Sequence, residues 1–397
     1  MKSNKTILKG RSNGRIMKRV LMSLLVTTTI FYGSAQEPNR GEYNLLIGTY
    51  TQRGKDNGIF VYRFDSGTGE LSYRSETNGV KNPSYLVISK NGKHVYAANE
   101  LGRGNGTVTA LSLDPEKGEL SVLNVMGTGG DGPCYVAVDD MNRYVYAGNY
   151  GGGSLGAIPI REDGALGSSI QSIRHEGGSI RPGQKRPRVH ATVLSNDNSF
   201  LYVPDLGTDK INIYKIDASS SNPMAPADQS FVSVEPGSGP RHFVFHPNGK
   251  FAYVVQELMG IVTAFDHDGG KLKSKQSVSL LSKTYKGGVD EADAADIHIS
   301  PDGKFLYASL RGESNELVIY AIEENGMLEY VGRQSTLGKV PRNFVIDPSG
   351  RFVLVGNSAS NEVVVFKRDQ STGLLEPTGN TISVPAPVCL KFTKMDL

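Results

Sequence analysis

The chain has 397 residues, among them 47 glycines, 18 tyrosines and two cysteines, and it lacks tryptophan. Its 43 lysines and arginines nearly balance 40 aspartates and glutamates, for a formal net charge of +3 at pH 7. This balance gives no electrostatic basis for nucleic-acid binding, and the cysteine content excludes a small disulfide-rich scaffold.

The first 36 residues differ in composition from the rest of the chain. Seven basic residues and no acidic one precede an apolar run at Val20–Tyr32, and small residues at 33–35 precede Gln36. This pattern predicts a secretory signal peptide at residues 1–35 and export of the mature protein, 36–397, to the periplasm. The apolar run is short for a membrane span, so no span is expected after cleavage, and an uncleaved anchor is the alternative.

Removal of this leader changes the charge of the protein. Without its seven basic residues, 36 basic residues face 40 acidic ones, which gives a formal charge near −4. The basic character of the whole chain therefore comes from the leader, and no nucleic-acid partner is expected. Met17 is a second candidate for the start of translation, and a cytoplasmic location follows if the leader is misassigned.

From residue 43 onwards, one pattern recurs about every fifty residues. Gly239–Glu257 consists of an apolar run, a Pro-Asn-Gly turn and a second apolar run, which is typical of a β-hairpin. A second pair of short strands follows, as at Asn57–Glu76, so each unit has four strands. Further copies of the first hairpin lie at Asn82–Glu100, Gly132–Tyr150, Arg188–Leu206, Asp293–Arg311 and Val340–Ser358.

A four-stranded unit at this period predicts an all-β fold, a seven-bladed β-propeller with four-stranded antiparallel blades. The seventh copy is split between the two ends of the chain. The segment YNLLIGTY at 43–50 has only the second strand of a hairpin, and Pro385–Thr393 supplies the missing first strand. We therefore expect a first blade closed by N- and C-terminal strands, and one domain over residues 36–397.

Polar residues gather at the ends of the first two strands of each unit. The start of the first strand holds Ser84, Cys134, His190, Arg241, Ala295 and Arg342. The end of the second strand holds Thr49, Asn99, Asn149, Asp205, Gln256, Leu310 and Asn357. The next positions hold Tyr50, Glu100, Tyr150, Leu206, Glu257, Arg311 and Ser358. Because the start of a strand lies beside the end of its antiparallel partner, all three sets are expected to crowd one rim of the central channel.

The charged members of this rim predict a site for an anionic or carboxylate-bearing small molecule. They are His190, Arg241, His242, Glu257, His298, Arg311 and Arg342. A purely structural interpretation is open for Arg311 and Arg342, which would then bond carbonyls of a neighbouring blade, and for Asp205, which would then pin a turn. Metal motifs and a serine nucleophile elbow are absent from the sequence, so neither a metal nor a cofactor is expected. Cys134 and Cys389 are predicted to be buried and unlinked.

At these residues the chain resembles the seven-bladed propeller lactonase family, which includes bacterial propeller-type 6-phosphogluconolactonases and fungal carboxy-muconate lactonizing enzymes. The most specific matches are GPRHF, HPNG and the following glutamate within 239–257, and DLGTD at 205–209. The resemblance covers residues 43–395. It implies that His190 is the active-site histidine, that Arg241 and Arg311 are its arginines and that Glu257 is its acid.

The resemblance implies hydrolysis of a sugar δ-lactone, 6-phospho-D-glucono-1,5-lactone or a related aldonolactone, by metal-independent general acid–base catalysis. Glu257, His190 and Arg241 are expected to be catalytic. Contacts to the substrate are expected from Arg311, Arg342, His298, Asn149, His242 and Asp205. The alternatives are a muconate-type lactonization, or an exported propeller that binds carbohydrate or protein without catalysis. A monomer is expected.

Overall fold

Short alternating apolar runs and turns build seven four-stranded antiparallel sheets in this chain. The structure is a computed structural model that describes residues 41–51, 57–102, 104–287 and 292–395. The leader predicted at 1–35 lies outside these residues. Within them, no helix is long and apolar enough to cross a membrane, and one short 3-10 helix occurs at Pro182–Gln184.

The first three blades contain the following strands, in chain order: β1 (Glu42–Thr49), β2 (Asn57–Asp65), β3 (Leu71–Asn78), β4 (Pro83–Ile88), β5 (His94–Asn99), β6 (Thr107–Asp114), β7 (Glu119–Gly127), β8 (Pro133–Val138), β9 (Tyr144–Asn149), β10 (Ser154–Pro159) and β11 (Gln171–Arg174). The fourth and fifth blades contain β12 (Val193–Leu194), β13 (Phe200–Asp205), β14 (Lys210–Ile216), β15 (Met224–Ser233), β16 (Pro240–Phe245), β17 (Phe251–Gln256), β18 (Ile261–Asp268) and β19 (Lys271–Ser279). The remaining strands are β20 (Ala294–Ile299), β21 (Phe305–Leu310), β22 (Glu316–Ile322), β23 (Leu328–Ser335), β24 (Pro341–Ile346), β25 (Phe352–Asn357), β26 (Glu362–Arg368), β27 (Leu375–Ser383) and β28 (Pro387–Lys394).

The seven-bladed architecture predicted from the repeat is confirmed, and so is its closure. The first blade has the strand order β28-β1-β2-β3, whereas each other blade uses four consecutive strands. Tyr43 pairs with Lys394, and Ile47 pairs with Leu390, in an antiparallel register. The last strand of the chain thus hydrogen-bonds to the first, so the first blade is completed by both ends of the chain.

Neighbouring blades are locked together by buried tyrosines and by glycines in the outer turns. Five blades bury a fully inaccessible tyrosine in the second strand: Tyr96, Tyr146, Tyr202, Tyr253 and Tyr307. The hydroxyl of Tyr253 donates to the carbonyl of Gly326 in the next blade at 2.9 Å. Gly326 has a φ of +80°, and a Cβ there would lie 2.5 Å from the ring of Phe251. Glycine is therefore required at this turn by both backbone conformation and packing.

Tyr253 and Tyr146 provide a matched test of this lock. Removal of the Tyr253 hydroxyl in Tyr253→Phe leaves a buried carbonyl without a donor, and we expect a loss of about 1–3 kcal/mol in the free energy of unfolding. The hydroxyl of Tyr146 is buried without a hydrogen-bond partner. Tyr146→Phe is therefore expected to be neutral or stabilising. Denaturant unfolding of the two variants measures the difference in the free energy of unfolding. Equal losses would contradict a role for the Tyr253–Gly326 hydrogen bond in holding neighbouring blades together.

The innermost strands of the blades begin with a β-bulge, which sets the direction of a side chain at the candidate site. In the fifth blade, Pro240 pairs with Gln256 and His242 pairs with Val255, so Arg241 is an extra, unpaired residue. The same one-residue shift occurs in the other innermost strands whose register is described at this point. Such bulges change the direction of a side chain, and here they turn it towards the central channel. Arg241 and Arg342 both occupy this position.

Candidate active site

The centre of the site is one carboxylate held between two arginines. Glu257 follows β17, and its Oε2 accepts a hydrogen bond from Arg241 Nε at 2.8 Å and lies 3.1 Å from Arg311 Nη2. No described residue donates to the second oxygen, Oε1. Arg241 Nη2 and Arg311 Nη1 likewise have no described acceptor. One carboxylate oxygen and one nitrogen of each guanidinium are therefore without a described partner, on three side chains that contact one another.

Each of these two arginines is also fixed by backbone carbonyls of the sixth blade. Arg241, which is 1% exposed, donates through Nη1 to the carbonyl of Ala295 at 2.7 Å. Arg311 donates to the carbonyls of Asp293 and Ala294 and forms a close ion pair with the Asp293 carboxylate. The structural interpretation of Arg311 and its role beside Glu257 are thus compatible. Carbonyl contacts hold the side chain while its remaining donor stays free.

A chain of hydrogen bonds supports Arg241 from below. Arg241 Nη1 lies 3.1 Å from His242 Nε2, and His242 Nδ1 lies 2.7 Å from Asp296 Oδ1. Because a guanidinium can only donate, His242 Nε2 must accept, so the ring is neutral and donates from Nδ1 to Asp296. Burial and the charge of Arg241 lower the pKa of His242 to about 3, in agreement with this neutral form. Asp296 therefore orients His242, and His242 orients Arg241.

Asp296 ties three blades together beneath the site. Its second oxygen, Oδ2, is contacted by His298 Nε2 at 2.9 Å and accepts bonds from Asn343 Nδ2 and the Phe344 amide. The side chain of Asp296 is 3% exposed. Although burial opposes ionisation, contacts with His298 and His242 hold the pKa of this carboxyl well below its usual range. The carboxylate is thus the shared acceptor of strands β16, β20 and β24.

A second group of charged residues lies across the channel, on the first, second and seventh blades. Tyr50 donates its hydroxyl proton to Glu100 Oε2 at 2.8 Å, and Arg342 Nη2 lies 3.6 Å from the same oxygen. The guanidinium of Arg342 also lies over the ring of Tyr50, with Cζ 5.3 Å from the centroid. Although burial opposes it, the surrounding acidic groups raise the pKa of Arg342, which is therefore charged.

His190 lies between the third and fifth blades. Its ring packs edge-on against Tyr150, with centroids 5.3 Å apart, and against His242, with centroids 5.4 Å apart. Nδ1 is 3.7 Å from the thiol sulfur of Cys134, and Nε2 has no described partner. Burial and the charge of Arg241 lower the pKa of His190 well below 6.5. His190 is therefore a neutral imidazole with one free nitrogen.

We call the eight side chains that converge here the mouth cluster: Tyr50, Glu100, Tyr150, His190, Arg241, Glu257, Arg311 and Arg342. The cluster draws on all seven blades and includes all four residues that the resemblance implies for the active site: one histidine, two arginines and one glutamate. A stacked tyrosine pair, Tyr85 and Tyr135, with centroids 3.9 Å apart, lies against the ring of His242 below it. Both cysteines are free and buried, as predicted.

The expectation that both residues at the end of each second strand line the channel is wrong. Asn149 and Asp205 are fully buried. Asn149 donates to Ser154 Oγ at 3.1 Å. Asp205 accepts from the Arg188 amide at 2.7 Å and contacts His175 Nδ1 at 2.7 Å. Successive side chains on a strand point in opposite directions, which explains why Tyr150 faces the channel while its neighbour Asn149 does not.

Two predicted substrate contacts, His242 and His298, also lie outside the mouth cluster. His242 is 6% exposed, and both of its ring nitrogens are engaged. His298 is two residues farther along β20 than Asp296, on the same face and away from Glu257, and it packs on Phe344. Both histidines support Asp296 and Arg241 instead. Asp296 was not among the predicted site residues, because the segment DIHI has the pattern of an ordinary strand.

The electrostatics of the mouth cluster favour an ionised Glu257. Burial alone would raise the pKa of this carboxyl, but the positive charges of nearby arginines, Arg311 and Arg241 first among them, leave it below its ordinary value of 4.5.

Burial, by contrast, raises the pKa of the Cys134 thiol, so this cysteine is not a nucleophile at neutral pH. Within the described ranges, no group of three or more His, Cys, Asp or Glu side chains is arranged to hold a metal ion.

These pKa directions predict the pH profile of kcat/KM for a neutral lactone, which has no titrating group of its own, so that the profile reports ionisations of the free protein. Because Glu257 loses its proton below pH 4.5 and His190 stays neutral well below pH 6.5, activity should be flat through pH 6.5. It should fall only as the pH drops below 4.5. Arg311→Gln removes one positive charge and should move this acid limb upwards. A wild-type inflection between pH 6 and 7 would contradict the assignment.

The family profile described as "Lactonase, 7-bladed beta-propeller" matches residues 44–392. The chain belongs to the seven-bladed β-propeller lactonase family. This confirms the resemblance inferred from the GPRHF and DLGTD segments.

Several members of the lactonase family match this chain over almost their whole length. It is 37% identical over 336 residues to a 6-phosphogluconolactonase of Formosa agariphila, which covers 84% of this chain and 94% of that protein. It is 34% identical over 353 residues to 6-phosphogluconolactonase of Bacillus subtilis, covering 88% and 98%. The solved structure of a periplasmic gluconolactonase from Pseudomonas aeruginosa matches with a TM-score of 0.85 and 36% identity, covering 89% of this chain and all of the other.

Proposed function

We propose that this protein hydrolyses a sugar lactone, 6-phosphogluconolactone or a related aldonolactone, in the mouth cluster. The observation that carries the proposal is Glu257, an ionised carboxylate with one oxygen fixed by Arg241 and Arg311 and the other free. The names of its relatives, two 6-phosphogluconolactonases and a gluconolactonase, support the choice of substrate class.

In this mechanism Glu257 is the general base. Its free Oε1 takes a proton from a water molecule while the water oxygen attacks the lactone carbonyl carbon. Negative charge then develops on the carbonyl oxygen, and the free donors on Arg241 and Arg311 stabilise it. The tetrahedral intermediate collapses by breaking the bond between the carbonyl carbon and the ring oxygen. Glu257 returns the proton to that oxygen, so the product is the open hydroxy acid and the base is regenerated.

His190 and Arg342 are assigned to substrate binding in this proposal. The free Nε2 of His190 provides a neutral hydrogen-bonding group for a sugar hydroxyl or for the ring oxygen. Arg342 retains unused donors beside its contact with Glu100. Because His190 is neutral, it exchanges hydrogen bonds without adding charge to the site.

The direct test is hydrolysis by the purified protein, measured as proton release with spontaneous opening subtracted. 6-Phosphogluconolactone, gluconolactone and galactonolactone are compared at matched concentrations. Turnover of at least one of them supports the proposal. No turnover of any would reject it and favour a muconate-type lactonization or a binding propeller.

We also propose that the protein is exported. The composition of residues 1–35 supports this location, and the similar gluconolactonase of Pseudomonas aeruginosa is described as periplasmic. Fractionation followed by N-terminal sequencing would test it, since export with cleavage predicts a mature chain that begins at Gln36. A monomer is the proposed state, which sedimentation of the same sample would check.

A further inference from the structure

The arginines near the mouth of the channel differ in whether a carboxylate already neutralises them. Arg241, Arg311 and Arg342 each have a carboxylate oxygen at 3.6 Å or closer. Arg188 has none within 4.0 Å in the part of the chain that the structure describes. Its Nε is buried and has no hydrogen-bond partner there. Arg188 is therefore a cation that no carboxylate of the described residues neutralises, and an anionic ligand would supply the missing charge.

Arg188 is separated from His190 by a single aromatic ring. Its guanidinium lies over the ring of Tyr150, with Cζ 5.0 Å from the centroid. The same ring packs edge-on against His190. Burial and the charge of Glu257 raise the pKa of Tyr150, so its hydroxyl stays protonated and can also donate. Tyr150, a member of the mouth cluster, therefore contacts both Arg188 and His190.

The backbone of Arg188 is held firmly. Its amide donates to Asp205 Oδ1 at 2.7 Å, and the fully buried Gln184 donates to the turn that follows β13. A Cβ on Gly207 in that turn would lie 2.0 Å from the carbonyl oxygen of Arg186, so the two segments are in direct contact. The position of Arg188 relative to the site is therefore set by packing. The hydrogen bond from the Arg188 amide also explains why Asp205, which was expected to bind substrate, is buried instead.

We propose that Arg188 binds an anionic substituent of the lactone, a phosphate ester or a carboxylate at the end of the sugar remote from the lactone carbonyl. The inference rests on the proposed function. Glu257, Arg241 and Arg311 take up the reacting end of the substrate, and their charges are already balanced among themselves and Asp293. Arg188 supplies the unbalanced positive charge that distinguishes an anionic substrate from a neutral one.

The test compares Arg188→Gln with wild type on three lactones: 6-phosphogluconolactone, glucaro-1,4-lactone and neutral gluconolactone. A charge-assisted hydrogen bond corresponds to a preference of about 10- to 100-fold. In Arg188→Gln the ratio of kcat/KM for an anionic over the neutral lactone should fall by that factor, and Arg188→Lys should restore part of it. The lactone whose ratio falls identifies phosphate or carboxylate as the ligand. Arg186→Gln, an exposed arginine of the same segment, is the matched control.

Two outcomes would overturn the inference. Equal losses for anionic and neutral lactones would make Arg188 a support for Tyr150 and His190 only. An unchanged ratio, no different from Arg186→Gln, would show that Arg188 does not contact the substrate. If wild type opens no lactone, calorimetric binding of 6-phosphogluconate, glucarate and gluconate decides instead. A preference for 6-phosphogluconate or glucarate over gluconate that Arg188→Gln abolishes supports the anion site, and no preference rejects it.

Discussion

Replacement of Glu257 by Gln is expected to reduce kcat/KM for lactone hydrolysis by about 10²- to 10⁴-fold, the usual contribution of a general base. Glutamine keeps the size of the side chain and still offers an oxygen to Arg241 and Arg311. It cannot take a proton from water. The loss should therefore appear mainly in kcat, and proton release under saturating substrate measures it.

Glu100→Gln is the matched control for this substitution. Glu100 is also a carboxylate of the mouth cluster, but it contacts Tyr50 and Arg342 rather than Arg241. Its replacement should lower activity far less than that of Glu257. Equal effects would mean that activity depends on the total negative charge of the mouth cluster and not on a base at Glu257. Circular dichroism on both variants confirms that the β-structure is intact.

Replacement of Asp296 by Ala is expected to have the largest effect on stability. Removal of one partner from a buried network costs about 3–5 kcal/mol, because the remaining donors stay buried without an acceptor. Here these donors are His242, Asn343 and the Phe344 amide. Loss of support for His242 should also loosen Arg241 and lower kcat. Urea unfolding and kcat measured on the same preparation follow both effects.

Two variants make the Asp296 result specific. Asp296→Asn retains one acceptor oxygen and should be intermediate in stability. Asp228→Ala changes an exposed aspartate on β15 and should alter the free energy of unfolding by no more than about 0.5 kcal/mol. If Asp296→Ala were as stable as Asp228→Ala, the carboxylate would not be the shared acceptor of three blades.

The propeller could be predicted because its strands repeat. Each hairpin carries the same alternation and the same turn, and the split copy at 43–50 and 385–393 indicated how the ring closes. Tertiary contacts are then implied by local sequence, since every blade packs on the next in the same way. The candidate residues Glu257, Arg241 and Arg311 were found for the opposite reason. Equivalent positions of the repeat hold different charged side chains, whereas packing alone favours similar ones.

The repeat pattern was enough to predict the seven-bladed fold, its closure and the chemical types gathered at one end of the channel. Which of these residues contact one another depends on the folded chain. Asn149 and Asp205 turn into the sheets while Tyr150 and Glu257 turn into the channel, because strand neighbours alternate. A bulge in β16 likewise turns Arg241 towards the channel. Asp296 likewise gains its role only when strands from three blades bring their donors to a single carboxylate.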